Sequence, residues 1–128
     1  MTCLLDTQLL LWAAAGDRRL STKALALIED EANELFFSVV SLWEVVIKQS
    51  LNRDDFQVDA RILRNRLQEH GYIELPVSAN QVLAVARLPN IHRDPFDRLL
   101  IAQAGEERMT LLTPDPMIGR YAGNIELV

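Results

Sequence analysis

The stretch IHRDPFDRLLIAQAGEERMTLLT, residues 91–113, passes from a polar segment through a helical pattern into a short apolar run. Asp94 suits the N-cap of that helix, Pro95 its first position, and Asp97 complements the helix dipole in the first turn. Phe96, Leu99, Leu100 and Ala104 follow at helical spacing and predict its buried face. MTLLT then reads as a buried strand. A helix feeding a strand in this way begins at the carboxyl edge of a parallel sheet. Capping accounts for Asp94 better than for Asp97, so Asp97 is the candidate functional residue.

The same alternation extends along the chain. TCLLD, ELFFSVV, YIELPV and the terminal IELV read as strands, which makes five with MTLLT. Leu20–Asn33 is predicted helical, with Ser21 as N-cap and Leu20 and Leu25 placed as a hydrophobic staple. Val58–His70 is predicted to turn Val58, Ile62, Leu63 and Leu67 inward, with Arg61 and Arg64 on another face. Ser78–Arg87 has Ser78 and Gln81 at capping-box spacing, then Val82, Leu83 and Ala86. His70 reads as a helix-end residue beside Gly71. No repeat, linker or low-complexity tract divides the sequence, so one α/β domain over residues 1–128 is expected, with a mainly parallel sheet and helices on both faces.

Composition narrows the classes. Apolar residues form 49% of the chain and charged residues 24%, ordinary globular values. The apolar run Leu9–Ala15 is too short to span a bilayer, and Met1–Leu5 leads directly into Asp6 without the basic start of a secretory signal. The single cysteine, Cys3, lies in an apolar run and reads as a reduced, buried thiol of a cytoplasmic protein. A net charge of −5 has the wrong sign for a protein that simply coats nucleic acid, although basic patches remain compatible with it.

In open parallel sheets, ligands bind at the carboxyl ends of the strands. Asp6 ends the first strand, Asp97 opens the helix before the fourth, and Asp115 follows that strand in TPDPM. Glu44 stands at capping-box spacing from Ser41, ahead of a helix expected to bury Trp43, Val46 and Ile47. Each acid alone has a structural explanation as a cap or a turn residue. Together, the four come from separate segments and converge on one edge. Their repulsion would raise their pKa values, and a divalent cation would relieve it. Oxygen ligands without Cys or His point to Mg²⁺ or Mn²⁺. No G-x-G-x-x-G, Walker lysine or G-x-S-x-G motif is present, and two histidines, His70 and His92, are too few for most zinc sites.

The segments LLDTQLLLW, SVVSLWEVVIK, HRDPFDRLLIAQA and LLTPDPMIGRY resemble the four signature segments of PIN-domain proteins, and most closely those of VapC-type toxins. The resemblance covers nearly the whole chain, in order. It implies a three-layer α/β/α sandwich with a parallel sheet of four or five strands. It also implies a metal-dependent endoribonuclease whose acids match Asp6, Glu44, Asp97 and Asp115, with Asp94 as a possible accessory. One departure is Gln8, where many relatives have histidine. By the same resemblance the protein forms homodimers and is silenced by an antitoxin inserted near the site. The apolar LLLWAAA and the Trp43 helix are possible walls of such a groove.

On this reading Asp6 and Asp97 hold the principal ion, while Glu44 and Asp115 bind through water, position the nucleophile or support a second ion. Thr7 and Thr113 are the nearest hydroxyls for supporting hydrogen bonds. Lys48, Arg93 and Arg98 are candidate contacts to RNA phosphates, or else partners of the acids. Two alternatives remain: a non-catalytic PIN-like module binding RNA or protein, and a Mg²⁺-dependent phosphotransfer domain. The second fits less well, because Gln8 stands where a phosphatase has its second acid and the last lysine is Lys48.

Overall fold

The structure is a computed structural model that describes residues 1–51 and 57–128. Strand β1 (Thr2–Leu5) shows how the layers arise, because successive side chains of a strand point to opposite faces. Cys3 and Leu5 enter one apolar cluster and Leu4 the other, all of them fully buried. Strands β2 (Glu34–Ser38) and β4 (Thr110–Thr113) repeat the division: Phe37 and Leu112 join the first cluster, Phe36 and Leu111 the second. Fully burying a Leu or Phe side chain contributes roughly 1.5–3 kcal/mol.

β3 (Ile73–Leu75) and β5 (Ile125–Leu127) complete a five-stranded sheet in the order β3-β2-β1-β4-β5, with every pairing parallel. Helices α1 (Thr7–Ala15), α2 (Thr22–Glu29) and α4 (Ala60–Glu69) supply Leu9, Leu10, Ala24, Leu63 and Leu67 to the first cluster. The opposite layer centres on α6 (Pro95–Glu106), with Leu100, Ile101 and Ala104 buried. α3 (Val39–Ser50) and α5 (Ala79–Ala84) both pack against α6, and α3 gives Val40 to the second cluster and Val45 to the first. The result is the expected α/β/α sandwich. No helix among the described residues is long and apolar enough to cross a membrane.

Several local expectations hold and others give way. Ser21 caps α2, Asp94 caps α6 with Pro95 behind it, and Ser78 and Gln81 form a complete capping box. Cys3 is buried and unbridged, as expected. The α2 staple is not formed as drawn, since Leu25 is exposed, and Ile62 on α4 also faces outward. On α5 the buried residues are Gln81 and Ala84, while Val82 and Leu83, and Ala86 just beyond the helix, are exposed. Gln81 is drawn inward by polar partners, Gln103 and Glu107, which the apolar spacing of its neighbours does not reveal.

Candidate active site

From β1 the chain moves outward through β2 and β3, then returns to place β4 on the other side of β1. The carboxyl ends of β1 and β4 therefore flank the topological switch point, where open α/β sheets leave a crevice. Asp6 follows β1 directly, and Thr113 ends β4 with Asp115 two residues beyond.

Asp6 serves two purposes at once. Its Oδ1 accepts the Leu9 N–H at 2.8 Å and so caps α1, while Oδ2 accepts the Thr113 hydroxyl at 2.5 Å. The residue is only 2% exposed. Burial pushes its carboxyl up to about 6; the Thr113 and Leu9 bonds oppose the rise, and the charges of Asp115 and Glu44 add to it. Asp97, in the first turn of α6, is raised further, to about 7. Burial is again the main cause, followed by repulsion from Asp94, Asp6 and Glu44, with His92 pulling the other way. The named repulsions tie the acids of all the separate segments into one electrostatic cluster.

Glu44 reaches the cluster differently from the sequence expectation. The N-cap of α3 is Ser38, whose hydroxyl accepts the Val40 N–H at 3.0 Å, so the helix starts earlier and Glu44 lies in its second turn. Ser41 makes no capping box. Its hydroxyl bonds Thr7 Oγ1 at 2.8 Å inside the protein, beside the site. The inward face of α3 is Val40, Ser41, Glu44 and Val45, which leaves Trp43 and Val46 exposed at 57% and 51%. Trp43 rests edge-on against Phe96 instead of entering the core. Glu44 Oε2 pairs with Lys48 Nζ at 3.0 Å, while Oε1 is buried without a hydrogen-bond partner among the described residues.

Asp94 acts as the cap the sequence anticipated, accepting the N–H groups of Phe96 and Asp97 at 2.8 and 3.3 Å. Asp115 is held through Oδ1, which takes the Met117 N–H at 2.9 Å, and its own N–H donates to Thr113 Oγ1 at 3.0 Å. Its Oδ2 lies 3.2 Å from His92 Nε2, and Asp97 Oδ2 lies 3.0 Å from the same nitrogen. His92 thus sits between two of the acids. The signal for it in the sequence was only its place two residues before the α6 cap.

The basic residues divide. Arg98 directs its guanidinium to the carbonyls of Pro89, Val85 and Leu88 and to Tyr121 Oη, at 2.8–3.4 Å. It clamps the segment before α6. Lys48 is engaged with Glu44. Arg93 is exposed on the rim of an open cleft that Asn90, Ile91, His92 and Arg98 also line. Gln8 is exposed on α1.

These residues fit a divalent cation. A buried carboxylate oxygen without a partner, Glu44 Oε1, is costly to keep and marks a missing positive partner. Two carboxyls raised toward neutrality by burial and mutual repulsion indicate the same deficit of positive charge. Among the described residues, the carboxylates of Asp97 and Asp115 and the His92 ring come within 4.8 Å of one another, a group that Asp6 and Glu44 do not join at that distance, and the carboxylate oxygens suit a hard ion.

Fold and site together define a class. The chain belongs to the PIN domain family, which matches residues 3–124. PIN domains are generally nucleases that use divalent metal. Among solved structures the chain resembles VapBC2 from Rickettsia felis bound to a DNA fragment from their promoter, with a TM-score of 0.71, 18% identity and 98% of each chain covered. It also resembles a toxin–antitoxin complex from Klebsiella pneumoniae, with a TM-score of 0.63 and 17% identity over 97% of this chain and 95% of that one. A third is FitAcB from Neisseria gonorrhoeae, with a TM-score of 0.55 and 16% identity over 91% and 89%. No curated protein matches the sequence.

Proposed function

We propose that the protein is a metal-dependent endoribonuclease that hydrolyses RNA phosphodiester bonds and acts as the toxin of a toxin–antitoxin pair. The observation that carries the reading is the unpartnered Glu44 Oε1 within a group of carboxylates that oppose one another's ionisation. Asp6 and Asp97 are assigned the direct hold on Mg²⁺ or Mn²⁺, with Glu44 and Asp115 acting through water or on the attacking water itself. When bound, such an ion lowers the pKa of a water molecule and offsets charge on the phosphoryl oxygens.

The chain's own groups do the positioning. Thr113 fixes one oxygen of Asp6, and the Leu9 N–H fixes the other. The Thr7–Ser41 bond ties the start of α1 to the inward face of α3, beside Glu44. Lys48 orients Glu44 from the rim. Arg93, exposed next to the third acidic segment, is the residue best placed to meet RNA phosphates.

For partners, the outward Trp43 and Val46 of α3 and the Val82 and Leu83 of α5 leave large apolar side chains exposed, a pattern typical of protein contact surfaces. Two adjoining cavities of about 250 and 270 Å³ share Ala14 and Arg66 between α1 and α4. These features support an antitoxin partner and a homodimer, and the similar structure solved as a toxin–antitoxin complex favours the antitoxin. The test is cleavage of RNA by the purified protein with Mg²⁺ and with EDTA. Internal cuts should appear only with the ion and vanish in Asp97→Asn. Cleavage undiminished in EDTA refutes the proposal, and RNA binding without cleavage favours a non-catalytic module.

A further inference from the structure

His92 is held at three points. Its backbone N–H donates to Tyr121 Oη at 2.7 Å, and that oxygen also accepts from Arg98 at 3.2 Å. Its ring Nδ1 accepts the Asp94 N–H at 3.2 Å. A backbone N–H has only a hydrogen to offer, so Nδ1 presents its lone pair and the ring hydrogen resides on Nε2. That Nε2–H faces Asp115 Oδ2 at 3.2 Å, with Asp97 Oδ2 at 3.0 Å from the same nitrogen.

Direct ligation of a cation through Nε2 would need the hydrogen moved to Nδ1, where it would meet the Asp94 N–H. The ring as held is therefore a donor to ligands and not itself a ligand. We propose that His92 is a positioning residue, which sets the spacing and orientation of Asp97 and Asp115 so that their remaining oxygens are presented to a divalent cation. The inference rests on the reading of the site as a cation centre. It gives the segment 91–98 a division of labour: Asp94 caps α6 and orients the His92 ring, Arg98 clamps the preceding segment, and His92 links the third acid to the fourth. Outer hydrogen-bond partners of this kind typically change metal affinity or activity by about 10–100-fold when removed.

Two measurements test it. Nitrogen NMR of the metal-free protein, which has only two histidines, reads the tautomer directly. A protonated Nε2 and bare Nδ1 at His92 are expected, and the reverse overturns the proposal without reference to any metal. Titrations of Mg²⁺ and of Mn²⁺ against wild type, His92→Ala and His92→Gln then read the consequence. His92→Ala should weaken both ions by a similar factor, about 10–100-fold. His92→Gln, which keeps an N–H donor, should recover much of the loss. Unchanged affinities in His92→Ala contradict the role. A loss confined to Mn²⁺, the ion better suited to imidazole, would show direct ligation and contradict it equally. If wild type binds neither ion, the cation reading of the site fails, a result separate from the nitrogen shifts.

Discussion

Thr113 Oγ1 donates to Asp6 Oδ2 across 2.5 Å and joins the carboxyl ends of β4 and β1, strands that are adjacent in the sheet but 107 residues apart in sequence. The bond holds a buried carboxylate at the switch point and opposes the rise in its pKa. Thr113→Val removes the donor at nearly constant volume. It should cost roughly 1.5–3 kcal/mol, the range for a hydrogen bond to a charged group. Urea unfolding in EDTA measures this, and wild-type stability in the variant would show that the bond does not support Asp6.

The raised carboxyls give a pH dependence of defined sign. Asp6 at about 6 and Asp97 at about 7 both lie above the ordinary carboxyl value of 3.8, so the folded protein binds more protons than the unfolded chain between those limits. Their contribution to stability is full below about pH 4 and is lost as pH rises through 6 and 7. The metal-free melting temperature should therefore decline between pH 5 and 8, and less steeply in Asp97→Asn. Divalent-ion affinity should move oppositely, strengthening over the same range as the protons leave. A wild-type melting profile no steeper than that of Asp97→Asn would remove Asp97 from the coupled group.

Asp94 and Asp97 should separate by substitution. Asn caps a helix about as well as Asp, so Asp94→Asn should keep most activity and stability. Asp94→Ala loses both capping bonds and should cost about 0.5–2 kcal/mol. Asp97→Asn should stay folded and lose cleavage. Equal inactivity of Asp94→Asn and Asp97→Asn would mean that Asp94 belongs among the ion-holding acids.

The cation should also reveal itself through stability. Asp115→Asn removes one of the charges that raise Asp6, so the metal-free variant should be as stable as wild type or more so, whereas most substitutions destabilise. Mg²⁺ at a hundredfold excess over its Kd should add about 2.7 kcal/mol to wild type and less to the variant. Thermal melts across a Mg²⁺ series decide between the outcomes. Strong destabilisation of the metal-free variant would show that Asp115 supports the fold more than it burdens the site.

How far the sequence carries depends on which force governs each position. Strand alternation and the Asp94–Pro95 start of α6 are local effects, and both appear in the structure where the residues place them. The start of α3 differs from the sequence expectation because FFSVVSL is apolar on both sides of the strand–helix boundary, and Ser38 and Ser41 are equally good caps in sequence. Its inward face differs because Ser41 and Glu44 are drawn inside, leaving Trp43 and Val46 to face out. Binary patterning fails where a polar cluster is built into the interior. The charge of Arg98 is visible in sequence, while the carbonyls it binds come from a turn whose path is not.

If Asp6, Glu44, Asp97 and Asp115 share a divalent cation, anomalous scattering from crystals of the full chain grown with Mn²⁺ should locate it. A peak is expected among these four carboxylates, with Glu44 Oε1 facing it and His92 hydrogen-bonded to Asp97 or Asp115 outside the ligand set. No peak at saturating Mn²⁺, or a peak away from the ends of β1 and β4, would contradict the shared site.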